Sequence, residues 1–419
     1  MIKLPALFLA LAATATFLRA DVLMQPNDAL AICGDSITEQ RIYSVDMEDY
    51  LLMCEPTSGQ RIAQFGWGGE RAPNFLARLD SDVFPFKPTV ATTCYGMNDG
   101  SYTALTDVIA GTYRTNQTAI VDALKKHGVR GIVIGSPKCV DTAAYRRVPG
   151  ADVYNKTLGA LADIDKKIAA DEGVVYADVY GITTATMEKA KAKLGKNYVF
   201  AGGDGVHPGP NGQIVMAYAF LKALGCDGAI GTVTVDLGAG TATATDGHKI
   251  LSCQNGEVSI ESTRYPFCFT GSFDKPDPNT TANITNFFPF NEDLNRYMLV
   301  VKGVKSVKAR VTWGKNSKEF SAAELEKGIN LAAEFADNPF SEAFAKVNAA
   351  VAAQQAFETL LVKQYLHGVG QLKTALPEQA AAFDSITVSA LEKDKKLYEA
   401  SVAAVQPVQH TIKIEAAKD

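Results

Sequence analysis

The sequence predicts an α/β fold: a doubly wound, five-stranded parallel sheet, followed by a small β-rich unit and a C-terminal helical arm. Three observations carry this expectation. From Ala29 to Leu224 short apolar runs alternate with helix-length segments, a rhythm that implies right-handed crossovers and a parallel sheet covered on both faces. After Gly225 the chain becomes Gly- and Thr-rich, with β-like runs and no helical spacing between them. From Ala322 the pattern turns helical again, with Phe340, Phe344, Val347 and Val351 on one stripe.

Taken in order, residues 1–20 hold Lys3, an apolar run from Leu4 to Leu18, and Ala20 before Asp21, the pattern of a secretory signal peptide. Export to the periplasm or the extracellular space is therefore expected, with the mature chain starting near Asp21. The run is too short to cross a bilayer core of about 30 Å, and no later stretch approaches about 18 uninterrupted apolar residues, so no membrane span is expected.

Strands are expected at Ala29 to Cys33, Arg61 to Phe65, Thr89 to Tyr95, Gly131 to Ile134 and Val174 to Ala177. Ala104 to His127 reads as a helix because Lys125, Lys126 and His127 fill its last turn and Gly128 stops it. Ala151 to Glu172 reads as another, with Leu161, Ile164 and Ile168 on one face. These elements delimit a first domain at residues 21–228. A β-rich unit follows at 229–320, opened by Thr232-Val233-Thr234-Val235 and reaching Val311-Thr312-Trp313. Residues 321–419 are expected to form a helical extension, interrupted near Gly368 and Gly370, with a second helix around Ser389 to Val405. Its apolar stripe must dock on one of the other units.

The bulk properties exclude several classes. In 419 residues the net charge is −5 without charge blocks, which argues against nucleic acid or an anionic membrane as partner, since both call for clustered Lys and Arg. A small-molecule or glycan substrate fits better. Seven Cys at wide spacing resemble neither a disulfide-dense module nor a metal site. Cys33 and Cys94 read as small apolar residues of buried strands, whereas Cys253 and Cys268 form the candidate pair for a bridge.

Four short segments carry chemistry. Gly34-Asp35-Ser36 ends the first strand, where ligand crevices open in such sheets. Ser36 there is either a nucleophile beside unpaired N–H groups or only a helix cap. Gly96-Met97-Asn98-Asp99 ends the third strand; Asn98 can donate to an oxyanion, although the same residues also make ordinary turns. Phe65-Gly66-Trp67-Gly68-Gly69-Glu70 follows the second strand, and its adjacent glycines permit a tight loop with an inward N–H. Trp67 either stacks on substrate or packs into the core. In Asp204-Gly205-Val206-His207, a carboxylate three residues before a His can hold the ring so that its Nε2 faces a nucleophile. Asp204 and His207 lack further ligands at suitable spacing for a metal. Jointly the segments are informative, because they lie in order at the same edge of one expected sheet.

These segments resemble the four blocks of the SGNH, or GDSL, hydrolase superfamily, whose fold is flavodoxin-like, over roughly Asp21 to Gly225. The resemblance implies Ser36 as nucleophile, His207 as general base and Asp204 as its orienter. It also implies an oxyanion hole made by the backbone of Ser36 and Gly69 with the Asn98 side chain, and no cofactor. The expected activity is that of a serine esterase, directed at O-acetylated carbohydrates, with Tyr43, Trp67 and Tyr102 as candidate substrate contacts. Two alternatives remain: a lysophospholipase, lipase or thioesterase of the same superfamily, and a non-catalytic glycan-binding envelope protein that keeps the fold.

Overall fold

The computed structural model describes residues 23–417, so the expected signal peptide lies outside the described residues. The first sheet contains β1 (Ala29–Gly34), β2 (Arg61–Gly66), β3 (Val90–Cys94), β4 (Gly131–Gly135) and β5 (Val175–Ala177). All pairs are parallel, in the order β2-β1-β3-β4-β5. Strands β3 and β4 are buried at every position, as parallel strands covered on both faces are, and neither shows an apolar–polar alternation. The order reverses at β1, so a crevice opens at the C-terminal ends of β1 and β3.

Helices α1 (Ser36–Glu39), α2 (Tyr43–Asp49), α3 (Ala72–Arg78), α4 (Asp107–Lys126), α5 (Ala151–Glu172), α6 (Val179–Leu194) and α7 (Pro210–Ala223) cover the sheet. The α4 helix starts three residues later than Ala104, because Thr106 caps it by accepting from the Ile109 N–H at 3.2 Å. The α7 helix is buried nearly all round, since it lies between the sheet and the β-rich unit.

That unit contains β6 (Ala229–Asp236), β7 (Thr241–Ala244), β8 (His248–Gln254), β9 (Glu257–Ser262), α8 (Phe290–Leu294), β10 (Arg296–Lys302), β11 (Lys308–Trp313) and β12 (Asn316–Ser321). After it come α9 (Ala322–Lys327), β13 (Ile329–Asn330), α10 (Leu331–Glu334), α11 (Ser341–Leu361), α12 (His367–Ala375), α13 (Ala380–Ala404) and β14 (Val408–Ala416). They form a four-stranded sheet, β13-β10-β6-β7, and a five-stranded one, β12-β11-β14-β9-β8.

Three sequence expectations change here. The chain does not divide at residue 320: β14, from the far end of the extension, sits in the middle of the second sheet between β11 and β9. Its alternation, with His410 and Ile412 buried and the residues between them facing out, is the period-two signature of a half-buried strand. Gly368 and Gly370 do not interrupt the arm. The wide π-helical turn Val362–Leu366 joins α11 to α12, and the helix runs on to Ala375; buried Leu366 and Val369 offset the cost of about 1 kcal/mol per glycine. The break comes at Leu376-Pro377, where proline cannot continue the helix, and α13 starts nine residues before Ser389. All seven cysteines are free, Cys253 and Cys268 included.

One apolar core joins the units. Met216 and Phe220 of α7, Ile230 and Val233 of β6, Phe290 of α8 and Phe340, Phe344 and Val347 at the start of the arm belong to it. The arm thus docks on both units at once. Among the described residues, no helix is long and apolar enough to cross a membrane.

Candidate active site

Ser36 opens α1 directly after β1, with Asp35 as N-cap accepting from the Ile37 N–H at 2.9 Å. Because α1 is a single turn, its aligned dipole is small, and what the position offers is local N–H groups. Burial pushes Asp35 up to about 7, against the pull of the Ile37 N–H. The Ser36 side chain is half-buried, and its Oγ lies 2.8 Å from His207 Nε2. On the other side of the ring, Nδ1 is 2.6 Å from Asp204 Oδ2. That pair sets the tautomer: Nδ1–H donates to the carboxylate, which leaves Nε2 to accept from Ser36.

The loop that carries His207 is anchored from below. Asp204 Oδ1 accepts from the N–H groups of Val206 and His207 at 2.8 and 2.9 Å. These N–H groups and the imidazole outweigh the upward push of burial and hold Asp204 at about 2. Asp141, fully buried, accepts from the N–H groups of Phe200 and Ala201 and pairs with Lys191 at 2.8 Å, while its own N–H donates to the Gly205 carbonyl. Sequence reasoning missed Asp141 because it contacts the loop from some 60 residues away. Buried Lys138 donates to the Cys139 carbonyl at 2.7 Å; burial pulls its ammonium down, and Asp35, Asp141 and Asp204 pull it back up.

The side expected to receive an oxyanion is built from two loops. Gly69 has φ of +73°, a conformation that favours glycine. Neither its N–H nor that of Ser36 donates to a protein acceptor among the described residues. Asn98 Nδ2 donates one hydrogen to the Glu70 carbonyl at 3.0 Å, and Tyr102 Oη–H donates to Asn98 Oδ1 at 2.9 Å. The two bonds fix which way the amide points and leave the second Nδ2 hydrogen unassigned. Glu70 is pinned in turn by a bidentate pair with Arg78, at 2.6 and 2.7 Å. Asp99 ties the two loops together, accepting from Ala72 N–H at 2.9 Å and Gly96 N–H at 3.0 Å; burial raises it to about 6.

The three aromatic candidates part company. Tyr43 is fully buried, bonded to Thr38 Oγ1 at 2.7 Å and stacked on Phe220; it is a core residue with no surface to offer the crevice, contrary to the sequence expectation. Tyr102 is half-buried at the site rim, between Tyr154 and the Arg147 guanidinium, which lies 3.8 Å over its ring. Trp67 is hemmed in by Arg78, Lys363 and the His367 ring, at 5.2, 4.9 and 4.8 Å. It lines a cavity of about 380 Å³ with Gly69, Asn74, Arg78 and His367. Among the described residues, no group of three or more His, Cys, Asp or Glu is arranged to hold a metal ion.

A sequence model of the GDSL-like lipase/acylhydrolase family matches residues 32–214, a segment that contains Ser36, Gly69, Asn98, Asp204 and His207. No curated protein sequence matches the chain. Among solved structures, a gut microbial diltiazem-metabolizing enzyme overlays with a TM-score of 0.71 at 19% identity, over 94% of this chain and 98% of its own. The shared fold therefore includes the β-rich and helical parts. An α/β hydrolase enzyme from the metagenome of Lake Arreo, Spain, is 22% identical over 49% of this chain and 98% of its own, with a TM-score of 0.41. A catalytic mutant of an acetylxylan esterase from Geobacillus stearothermophilus is 21% identical over 48% and 96%, with a TM-score of 0.40. Residues 32–214 thus match the GDSL-like lipase/acylhydrolase family, and over that segment the similarity is to hydrolases acting on ester bonds.

Proposed function

We propose that the protein is an exported serine esterase that removes short acyl groups, acetyl first among them, from carbohydrates. The Ser36–His207–Asp204 chain of hydrogen bonds, at 2.8 and 2.6 Å, carries the reading. Ser36 Oγ attacks the ester carbonyl as its proton passes to His207 Nε2. The carbonyl oxygen takes the negative charge and is met by the Ser36 and Gly69 N–H groups and by Asn98 Nδ2. Collapse breaks the bond to the alcohol oxygen, which receives the proton from His207, and leaves an acyl-serine. Water then attacks the acyl carbon with His207 as base. A second collapse releases the acid and returns the proton to Ser36. Asp204 holds the ring and stabilises the imidazolium in both steps. The proposal requires no cofactor.

The polar and aromatic groups beside Gly69 and Asn98, with Trp67, Asn74, Arg147 and His367 among them, support a short acyl group on a polar alcohol. A long acyl chain calls for an apolar channel. Initial rates on p-nitrophenyl acetate, butyrate and octanoate, with Ser36→Ala as control, test the reading. Acetate preference that vanishes in the variant is the expected result. Octanoate preference moves the substrate class to lipids, and rates equal in wild type and Ser36→Ala overturn the serine mechanism.

A further inference from the structure

We infer that the C-terminal helical arm is a working part of the active site: Lys363 and His367 are positioning residues that clamp the 65–70 loop, and with it the oxyanion hole, against the nucleophile turn. The inference rests on the esterase reading above.

The nucleophile turn and the loop are already in contact. The Trp67 N–H donates to the Gly34 carbonyl at 3.0 Å, and the Glu39 carboxylate at the end of α1 packs so closely on Gly68 that a Cβ there would stand 2.7 Å from its Oε2. The arm closes this contact from outside. Lys363 Nζ donates to Glu39 Oε1 at 2.5 Å and lies 4.9 Å from the Trp67 ring centre. One helical turn on, His367 packs its ring against Trp67 and bonds Asp82 Oδ2 at 3.1 Å. Deeper in, the same helix holds both sides of the contact: Glu358 Oε2 accepts at 2.8 Å from the N–H of Gln64, in the strand that feeds the loop, and Thr359 Oγ1 accepts at 3.2 Å from Nη1 of Arg41, just past α1. The π-helical turn Val362–Leu366 lets both Lys363 and His367 face the loop.

The consequence is geometric. Gly69 has open space around its Cα and only its chain neighbours to fix its N–H, so its aim depends on Gly68 and Trp67. Oxyanion donors act through placement, and small misplacements are felt in the chemical step. Lys363→Met should therefore lower kcat on p-nitrophenyl acetate about 10-fold or more with KM within about twofold. The thermal midpoint should fall only slightly, because this is a single ion pair still in part open to water, and its loss should be far smaller than the kcat effect. Lys363→Arg, which keeps the charge on Glu39, should restore most of the rate. His367→Ala should repeat the kcat loss in milder form.

The Ser36→Ala control separates the two claims. If Ser36→Ala keeps the wild-type rate, the esterase reading fails and the clamp has no reaction to serve. If Ser36→Ala is inactive while Lys363→Met keeps full kcat, the clamp alone is overturned. A kcat loss that follows a fall in thermal midpoint and is not restored by Arg overturns it as well.

Discussion

The chain places a serine hydroxyl against an imidazole twice, and the two sites differ in what surrounds the pair. At the crevice, Ser36 Oγ meets His207 Nε2 at 2.8 Å, the ring is one-third exposed, and Asp204 backs it. In the β-rich unit, Ser262 Oγ meets His248 Nδ1 at 2.8 Å and His410 Nε2 at 3.0 Å, with all three residues buried. No carboxylate backs either ring there. Instead the Ile230 carbonyl accepts from His248 Nε2–H, and Trp313 Nε1–H donates to His410 Nδ1. These bonds wire both rings as neutral tautomers: Ser262 donates to His248 and accepts from His410, and every hydrogen is spoken for. On the proposed reading, the same two side chains make a reactive site where an acceptor faces open space with a carboxylate behind it. Saturated and dry, they make a structural knot.

Deleting each hydroxyl in turn separates the two sites. Ser36→Ala should lower kcat at least about 10⁴-fold and leave the thermal midpoint in place. Ser262→Ala should leave the rate per folded molecule unchanged while stability falls by about 1–3 kcal/mol, because the buried His248 Nδ1 loses its donor and His410 Nε2 keeps only Tyr297 Oη. Activity that tracks Ser262 instead would reverse the assignment. Next in size, Asn98→Ala should cost about 10²–10³ in kcat with KM nearly unchanged; an unchanged kcat removes Asn98 from the oxyanion hole. Tyr102→Phe should cost less, about tenfold, because it frees the amide to turn without deleting the donor. A crystal structure of that variant would show whether the amide has turned.

The smallest effect is the pH response of stability, which sharpens the contrast between the knot and the arm's docking surface. Burial lowers His410 to about 3 and also depresses His248. Their contribution is complete above the ordinary histidine value of about 6.5 and fades as pH falls towards 3. Where the arm meets α2, burial does the reverse to carboxyls. It raises Asp46 to about 8, and pushes Glu48, Asp49 and Glu358 upward as well. Gln354 Nε2 bridges Glu48 and Glu358, and Gln355 Nε2 donates to Glu48. The fold favours these groups protonated, so their contribution is complete below about pH 4 and fades as pH rises towards 8. Thermal midpoints of wild type, His410→Gln and Asp46→Asn across that range should show a flattened acid limb in the first variant and a flattened alkaline limb in the second. Parallel curves for all three would refute the account.

What could be read from the sequence follows the range of the interactions. The parallel sheet and the four segments at its edge were legible because each is local: turn residues end a strand, and a carboxylate stands three residues before its His. Tyr43 looked like a rim aromatic because nothing in its neighbours reveals that α2 turns it onto Phe220. The β14 strand carried a readable alternation, yet its sheet partners lie about 100 to 150 residues upstream. Lys363 and His367 were invisible as site residues, since the groups they hold, Glu39 and Asp82, stand about 300 residues away. In the same way, the His410 knot exists only once β9, β10, β11 and β14 have come together.

On the proposed mechanism Ser36 is the one activated hydroxyl. Treating the folded protein with a fluorophosphonate and mapping the adduct by peptide mass spectrometry tests it directly. One phosphonyl group per chain is expected, on the Ser36 peptide, with labelling strongly slowed in His207→Ala and absent in Ser36→Ala. Labelling of another residue, or labelling that persists in Ser36→Ala, would contradict it.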